Sequence, residues 1–160
     1  MIAAVLQQVG KALELGEVSD PQLGPNEVLV RTQACGICGT DIHIQDGWGY
    51  TPALPFVMGH EPSGLVADVG VNVDRFMVGD RVVPNIFFTC GECYYCRTNR
   101  ETQCLHLDGI LGVLKHWGGY GAFFRAPASY STCPRRFRSR RERSLPTPSS
   151  PRCTPARGRA

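Results

Sequence analysis

The 160-residue chain contains no long apolar run. Met1-Ile2-Ala3-Ala4-Val5-Leu6 is too short for a signal-peptide core and no basic segment precedes it. Nothing approaches the roughly 20 consecutive apolar residues that a membrane helix needs. These gaps predict no membrane partner and a cytoplasmic address. In a reducing compartment the eight cysteines are poor candidates for disulfides and better ones for metal ligands. There is also no internal repeat and no Gly-x-Gly-x-x-Gly turn of the kind that joins strand to helix in dinucleotide-binding domains. Gly118-Gly119-Tyr120-Gly121 leads into a strand-like run instead, so no Rossmann domain is expected.

Acidic residues are nearly missing from one end. Residues 129–160 hold nine arginines against Glu142 alone, whereas residues 1–128 hold eight Lys and Arg against thirteen Asp and Glu. The overall +3 is therefore an average of two unlike pieces. The 129–160 tail has almost nothing apolar to bury, cannot offset its own ordering entropy, and is expected to be disordered. Its arginines would contact phosphates without reading sequence, and no aromatic platform or recognition helix accompanies them. Specific nucleic-acid binding is not expected.

Residues 1–128 suffice for one domain with a core. Residues 1–18 read as a short strand pair broken at Gly10, and Glu27–Ala34 is the clearest strand. Gly39–Ile44 reads as a helical turn that Thr40 can cap. Strands follow at Leu65–Val69, after the turn at Val78-Gly79-Asp80, and from Gly118 to Ala126. Short strands separated by Gly and Pro turns indicate a mainly β barrel or sandwich with little helix.

Cys90-x2-Cys93-x2-Cys96-x7-Cys104 is the most specific signal in the chain. Four thiolates so spaced can meet at one tetrahedral Zn²⁺, a closed site whose role is structural. An iron–sulfur cluster is the rival, but the ferredoxin run ends with a three-residue gap and a proline, whereas the last gap here is seven. A second group is looser: Cys38, then Gly59-His60-Glu61 about twenty residues on. Thiolate, imidazole and carboxylate together suit a catalytic zinc. Cys35-x2-Cys38 read alone could also be a buried pair or a redox motif, although the βαβ context of the latter is missing.

Gly59-His60-Glu61-x2-Gly64-x5-Gly70-x2-Val73 resembles the signature of the zinc-containing alcohol dehydrogenases, the medium-chain dehydrogenase/reductase family. Cys35-Gly36-Ile37-Cys38-Gly39-Thr40-Asp41, Val78-Gly79-Asp80-Arg81-Val82 and the four-cysteine lobe fit the same family in the same order, nearest in flavour to polyol, threonine and butanediol dehydrogenases. The resemblance covers residues 1 to about 128 and implies a GroES-like barrel with a small zinc lobe at 90–104. It implies Cys38 and His60 as ligands of a catalytic zinc, Glu61 as an alternating or additional ligand, and Cys90, Cys93, Cys96 and Cys104 around a structural one. Asp41 would accept from the second nitrogen of His60, and Thr40 and His43 would form the proton relay. The reaction implied is hydride transfer from a small alcohol, polyol or amino alcohol to NAD or NADP, in enzymes that leave room for a homo-oligomer.

The cofactor domain of that family has no counterpart in these residues, so the chain is expected to be inactive alone. The alternative is a non-catalytic zinc-binding module or pseudo-enzyme fragment. The family's further zinc ligand comes from beyond the barrel, and only Cys153 in the tail lies at a comparable distance. The family pattern also softens at Gly121-Ala122-Phe123, where Ala-Glu-Tyr is common. The tail itself reads as frame-shifted: one back-translation of Arg135 to Pro155, shifted by two nucleotides, resembles the family's next segment. Sequencing the DNA across codons 125–160 checks this, and no dehydrogenase-like continuation in either shifted frame would refute it.

Overall fold

The computed structural model describes residues 1–132. β1 (Ile2–Leu6) and β2 (Glu14–Glu17) form the expected antiparallel pair, Ile2 opposite Glu17 and Val5 opposite Glu14. β3 (Glu27–Gly36) starts with the period-two alternation of a half-buried strand, with Val28 and Val30 wholly inside. Helix α1 (Gly39–Asp46) follows, then β4 (Phe56–Val57), β5 (Glu61–Val69), β6 (Arg81–Pro84) and β7 (Phe87–Phe88). The short helix α2 (Tyr94–Arg97) precedes β8 (Gly109–Leu111), β9 (Lys115–His116), β10 (Phe123–Pro127) and β11 (Ser131–Thr132). The fold is thus mainly β, as the turn spacing implies. No helix among the described residues is long and apolar enough to cross a membrane.

The strands form three sheets ordered β2-β1-β4, β10-β3-β5-β6-β11 and β7-β8-β9. Residues 118–122 stitch the first two together. The N–H groups of Gly118 and Tyr120 donate to the carbonyls of Val57 and Met58, at 2.8 and 3.0 Å. Ala4 N–H donates to Tyr120 O at 2.9 Å, and Thr32 N–H to Ala122 O at 3.0 Å. The expected strand from Gly118 to Ala126 is therefore shorter, and begins at Phe123. Its glycine-led start spends its backbone groups on two different sheets instead of one ladder.

The main core lies on one face of the five-stranded sheet, where Val28, Val30, Val66, Val82 and Phe124 close on Phe88 and Leu111. Phe124 sits opposite Val30 in the β10–β3 register. A second cluster of Leu6, Ile44, Phe56 and Met58, flanked by Trp117 and Tyr120, holds α1 against β1 and β4. Burying a large apolar side chain contributes about 1.5–3 kcal/mol, so these clusters are what fix the loops between the strands.

Two local expectations change. Thr40 does not cap α1. Cys38 is the N-cap, its sulfur accepting from the Thr40 N–H while the Asp41 carboxylate takes the Cys38 N–H, a capping box one residue pair earlier than expected. The second long strand starts at Glu61 rather than Leu65, because Glu61 and Pro62 pair with Gly36 and Cys35 of β3. At the other end Ser131 and Thr132 pair with Pro84 and Val83 of β6. The remainder of the tail expectation, including the shifted frame, lies outside the described residues.

Candidate metal centres

The cysteine lobe begins where β7 leaves the core at Phe88 and ends where β8 returns to it. Between them α2 and a 3-10 turn at Glu101–Gln103 fold four sulfurs together. Their separations are 3.9 Å for Cys90–Cys96, 3.5 Å for Cys93–Cys96, 4.0 Å for Cys93–Cys104 and 3.6 Å for Cys90–Cys104. A tetrahedral zinc with Zn–S bonds of about 2.3 Å requires sulfurs about 3.8 Å apart, which these values bracket. A cluster would spread the four thiolates over several irons and hold them farther apart.

Backbone amides prepare two of these sulfurs for the ionised form that binds metal. The N–H groups of Cys96 and Leu105 hold the Cys93 thiol down to about 6. For Cys104, burial acts upward, but the N–H groups of Cys90 and His106, each at 3.3 Å, outweigh it and the net direction is down. Cys96 goes the other way, pushed up to about 11 by burial and by its contact with Cys93.

The second centre is assembled from two places 22 residues apart. Cys38 stands at the entry to α1, and His60 ends the turn that feeds β5. That turn needs Gly59, whose φ of +94° is left-handed and whose missing β-carbon leaves room for the Tyr120 ring and the Cys35 sulfur. Cys38 Sγ lies 3.1 Å from His60 Nε2, and Asp41 Oδ1 lies 3.5 Å from His60 Nδ1. Asp41 and His60 are buried, and neither Asp41 Oδ1 nor His60 Nδ1 has a hydrogen-bond partner. Two facing polar atoms left unsatisfied inside a protein are costly, and here they stand 3.5 Å apart, just beyond a good hydrogen bond. The donor atoms of Cys38, Asp41 and His60 lie within 4.8 Å of one another.

The other residues singled out from sequence surround this centre. Glu61 is exposed at the start of β5, facing Gly36, and is outside the group formed by Cys38, Asp41 and His60. Thr40 and His43 are exposed on α1, and the His43 ring lies 5.6 Å from that of Trp48. Cys35 is half-buried, and burial pushes its thiol up to about 11, keeping it neutral beside the site. Cys153 lies outside the described residues. Tyr120, which the pattern of the chain presents only as a strand residue, reaches the site. Its hydroxyl donates to the Gly36 carbonyl at 3.3 Å, and burial, with the Asp41 carboxylate nearby, raises its phenol.

Residues 24–134 match the family described as alcohol dehydrogenase GroES-like domain. The chain belongs to that family. It is 47% identical over 133 residues to an alcohol dehydrogenase of Geobacillus stearothermophilus, covering 81% of this chain and 38% of that one. An L-threonine 3-dehydrogenase of Rhizobium etli is 39% identical over 132 residues, with the same coverage. Among solved structures, a cobalt- and zinc-bound thermostable alcohol dehydrogenase from Pyrobaculum aerophilum aligns with a TM-score of 0.79 at 31% identity. That alignment covers 85% of this chain and 42% of the other. The GroES-like domain described above therefore spans about two fifths of the length of the relatives it matches.

Proposed function

We propose that this GroES-like domain is the metal-holding part of a zinc-dependent alcohol dehydrogenase acting on a small alcohol, polyol or amino alcohol with NAD or NADP. The observation that carries the reading is the meeting of Cys38 Sγ and His60 Nε2 at 3.1 Å with a buried carboxylate behind the histidine. Cys38 and His60 would hold the catalytic zinc, with Glu61 as an alternating or additional donor, and the four lobe cysteines would hold a second, structural ion. Bound zinc supplies Lewis acidity, which lets an alcohol oxygen lose its proton near neutral pH.

The chain's own residues do the rest. Asp41 faces His60 Nδ1, so that nitrogen carries the proton and Nε2 presents its lone pair toward Cys38. The neutral Cys35 and the ring of Tyr120 fill the space over Gly59 and keep water from the back of the site. Thr40 and His43 lie on the exposed side of α1, where a hydroxyl and an imidazole can pass a proton from the site to bulk water.

Metal analysis tests this. Two zinc ions per chain are expected, falling to one in His60→Ala, and a single ion in the unmodified chain would leave only a structural zinc module. Oxidation of small diols or amino alcohols with NAD or NADP by this 160-residue chain alone is expected to give no turnover, since it contains no dinucleotide-binding glycine turn. A rate above background would refute that expectation.

A further inference from the structure

Tyr120 touches both halves of the Cys38–His60 centre. Its backbone is held on two sides, N–H to Met58 O at 3.0 Å and carbonyl from Ala4 N–H at 2.9 Å, so the side chain springs from the rigid seam between two sheets. From there the ring covers Gly59, where a β-carbon would come within 2.5 Å of its Cδ1. Its hydroxyl ends on the carbonyl of Gly36, two residues before Cys38 and opposite Glu61 in the β3–β5 pairing. One side chain thus bears on the turn that carries His60 and is tied to the strand end that carries Cys38.

We infer that Tyr120 is a positioning residue for the Cys38–His60 centre: the ring sets the height of the Gly59-His60 turn and the hydroxyl pins the Gly36 carbonyl, so that the two donors stay facing one another, 3.1 Å apart in the metal-free chain. This rests on the zinc reading above for its purpose. A phenylalanine would supply the ring without the pin. Without it the Gly36 carbonyl loses that partner and the Asp41 carboxylate its phenol neighbour, and the Cys38 loop relies on the β3–β5 pairing at Gly36 and on the capping box with Asp41.

Tyr120→Phe isolates the hydroxyl, because the ring over Gly59 is kept. Titration with Co²⁺, with Cys38→Ser supplying the spectrum of the lobe alone, is expected to show affinity at the Cys38–His60 centre reduced roughly two- to tenfold, the size of one lost hydrogen bond. The absorption of the four-cysteine site should not change. Amide hydrogen exchange in the metal-free chain gives the second readout. Exchange at Cys38 and Asp41 should quicken by a similar factor while Val28 and Val30 on the same strand system stay unchanged. Equal quickening at all four amides would show a merely structural role and overturn the inference, as would no change at Cys38. If the unmodified chain binds only one ion, the zinc reading fails, and exchange at Cys38 still decides whether the hydroxyl holds the loop.

Discussion

The two candidate metal centres are built by opposite means. In the lobe, all four donors come from one short loop, are all sulfurs, and already stand 3.5–4.0 Å apart in the four measured pairs. At the second centre the donors come from different loops, and Cys38 Sγ and His60 Nε2 at 3.1 Å are closer than the roughly 3.6 Å that a shared tetrahedral zinc would impose. The lobe has little apolar material of its own, Cys96 being its one buried apolar residue among those described, so a bound metal would serve as its core. The Cys38–His60 centre sits against the barrel and Tyr120, and its buried Asp41 accepts from the Cys38 N–H through Oδ2 while Oδ1 has no hydrogen-bond partner. On the zinc reading proposed above, the lobe would be a folding element and the Cys38–His60 centre a reaction site. A closed all-thiolate shell gives its binding energy to stability, whereas an incomplete mixed shell leaves a position for substrate.

Three experiments probe that contrast. The largest effect is expected on stripping the lobe. Structural zinc contributes on the order of 10 kcal/mol of apparent binding energy in small peptides. Chelation or Cys93→Ser should therefore loosen residues 90–104, seen as new proteolytic cuts there and a lower melting temperature, while the barrel strands stay protected. An unchanged melt after complete chelation would sink the structural role. Next in size is Val30→Ala in the main core, expected to cost about 2–3 kcal/mol. It should weaken cobalt uptake at Cys38 and His60 and spare the charge-transfer absorption of the lobe. Equal losses at both would mean that the two centres are not independently supported.

The smallest effect concerns the barrel wall and pH. Burial holds the His116 imidazole below its ordinary value, against the opposing pull of Asp108, and Lys115 in turn holds Asp108 down. Because the unfolded chain takes up the histidine proton first, stability is full above the ordinary histidine value of about 6.5 and declines as pH falls toward the lower folded value. The Asp108 contribution has the same sign but is lost only at lower pH, below the usual carboxylate range. Melting curves between neutral and mildly acid pH should show the decline, and His116→Gln should flatten it. An unaltered slope in that variant would place the titrating group elsewhere.

Some of this was readable along the chain. The four-cysteine spacing is local, so the loop that closes over x2, x2 and x7 gaps needs no distant partner to bring its sulfurs together. The alternation in Glu27–Val30 and the glycine and proline turns were enough for the β class, and Gly59-His60-Glu61 for the family resemblance. Boundaries were less legible. Thr40 looks like the better helix cap until the Cys38 sulfur and the Asp41 carboxylate are seen to share that work.

What no spacing encodes is which distant residues share a surface. His60 meets Cys38 because β5 pairs with β3 in a register that puts Glu61 opposite Gly36, and in a strand a slip of one residue turns every side chain to the other face. Tyr120 reaches Gly36 only because residues 118–122 divide their backbone hydrogen bonds between two sheets. Residue types and local gaps thus named the chemistry and built the lobe. The register of one strand pair and a seam between sheets brought Cys38, His60 and Tyr120 together, since those contacts join residues far apart in the chain.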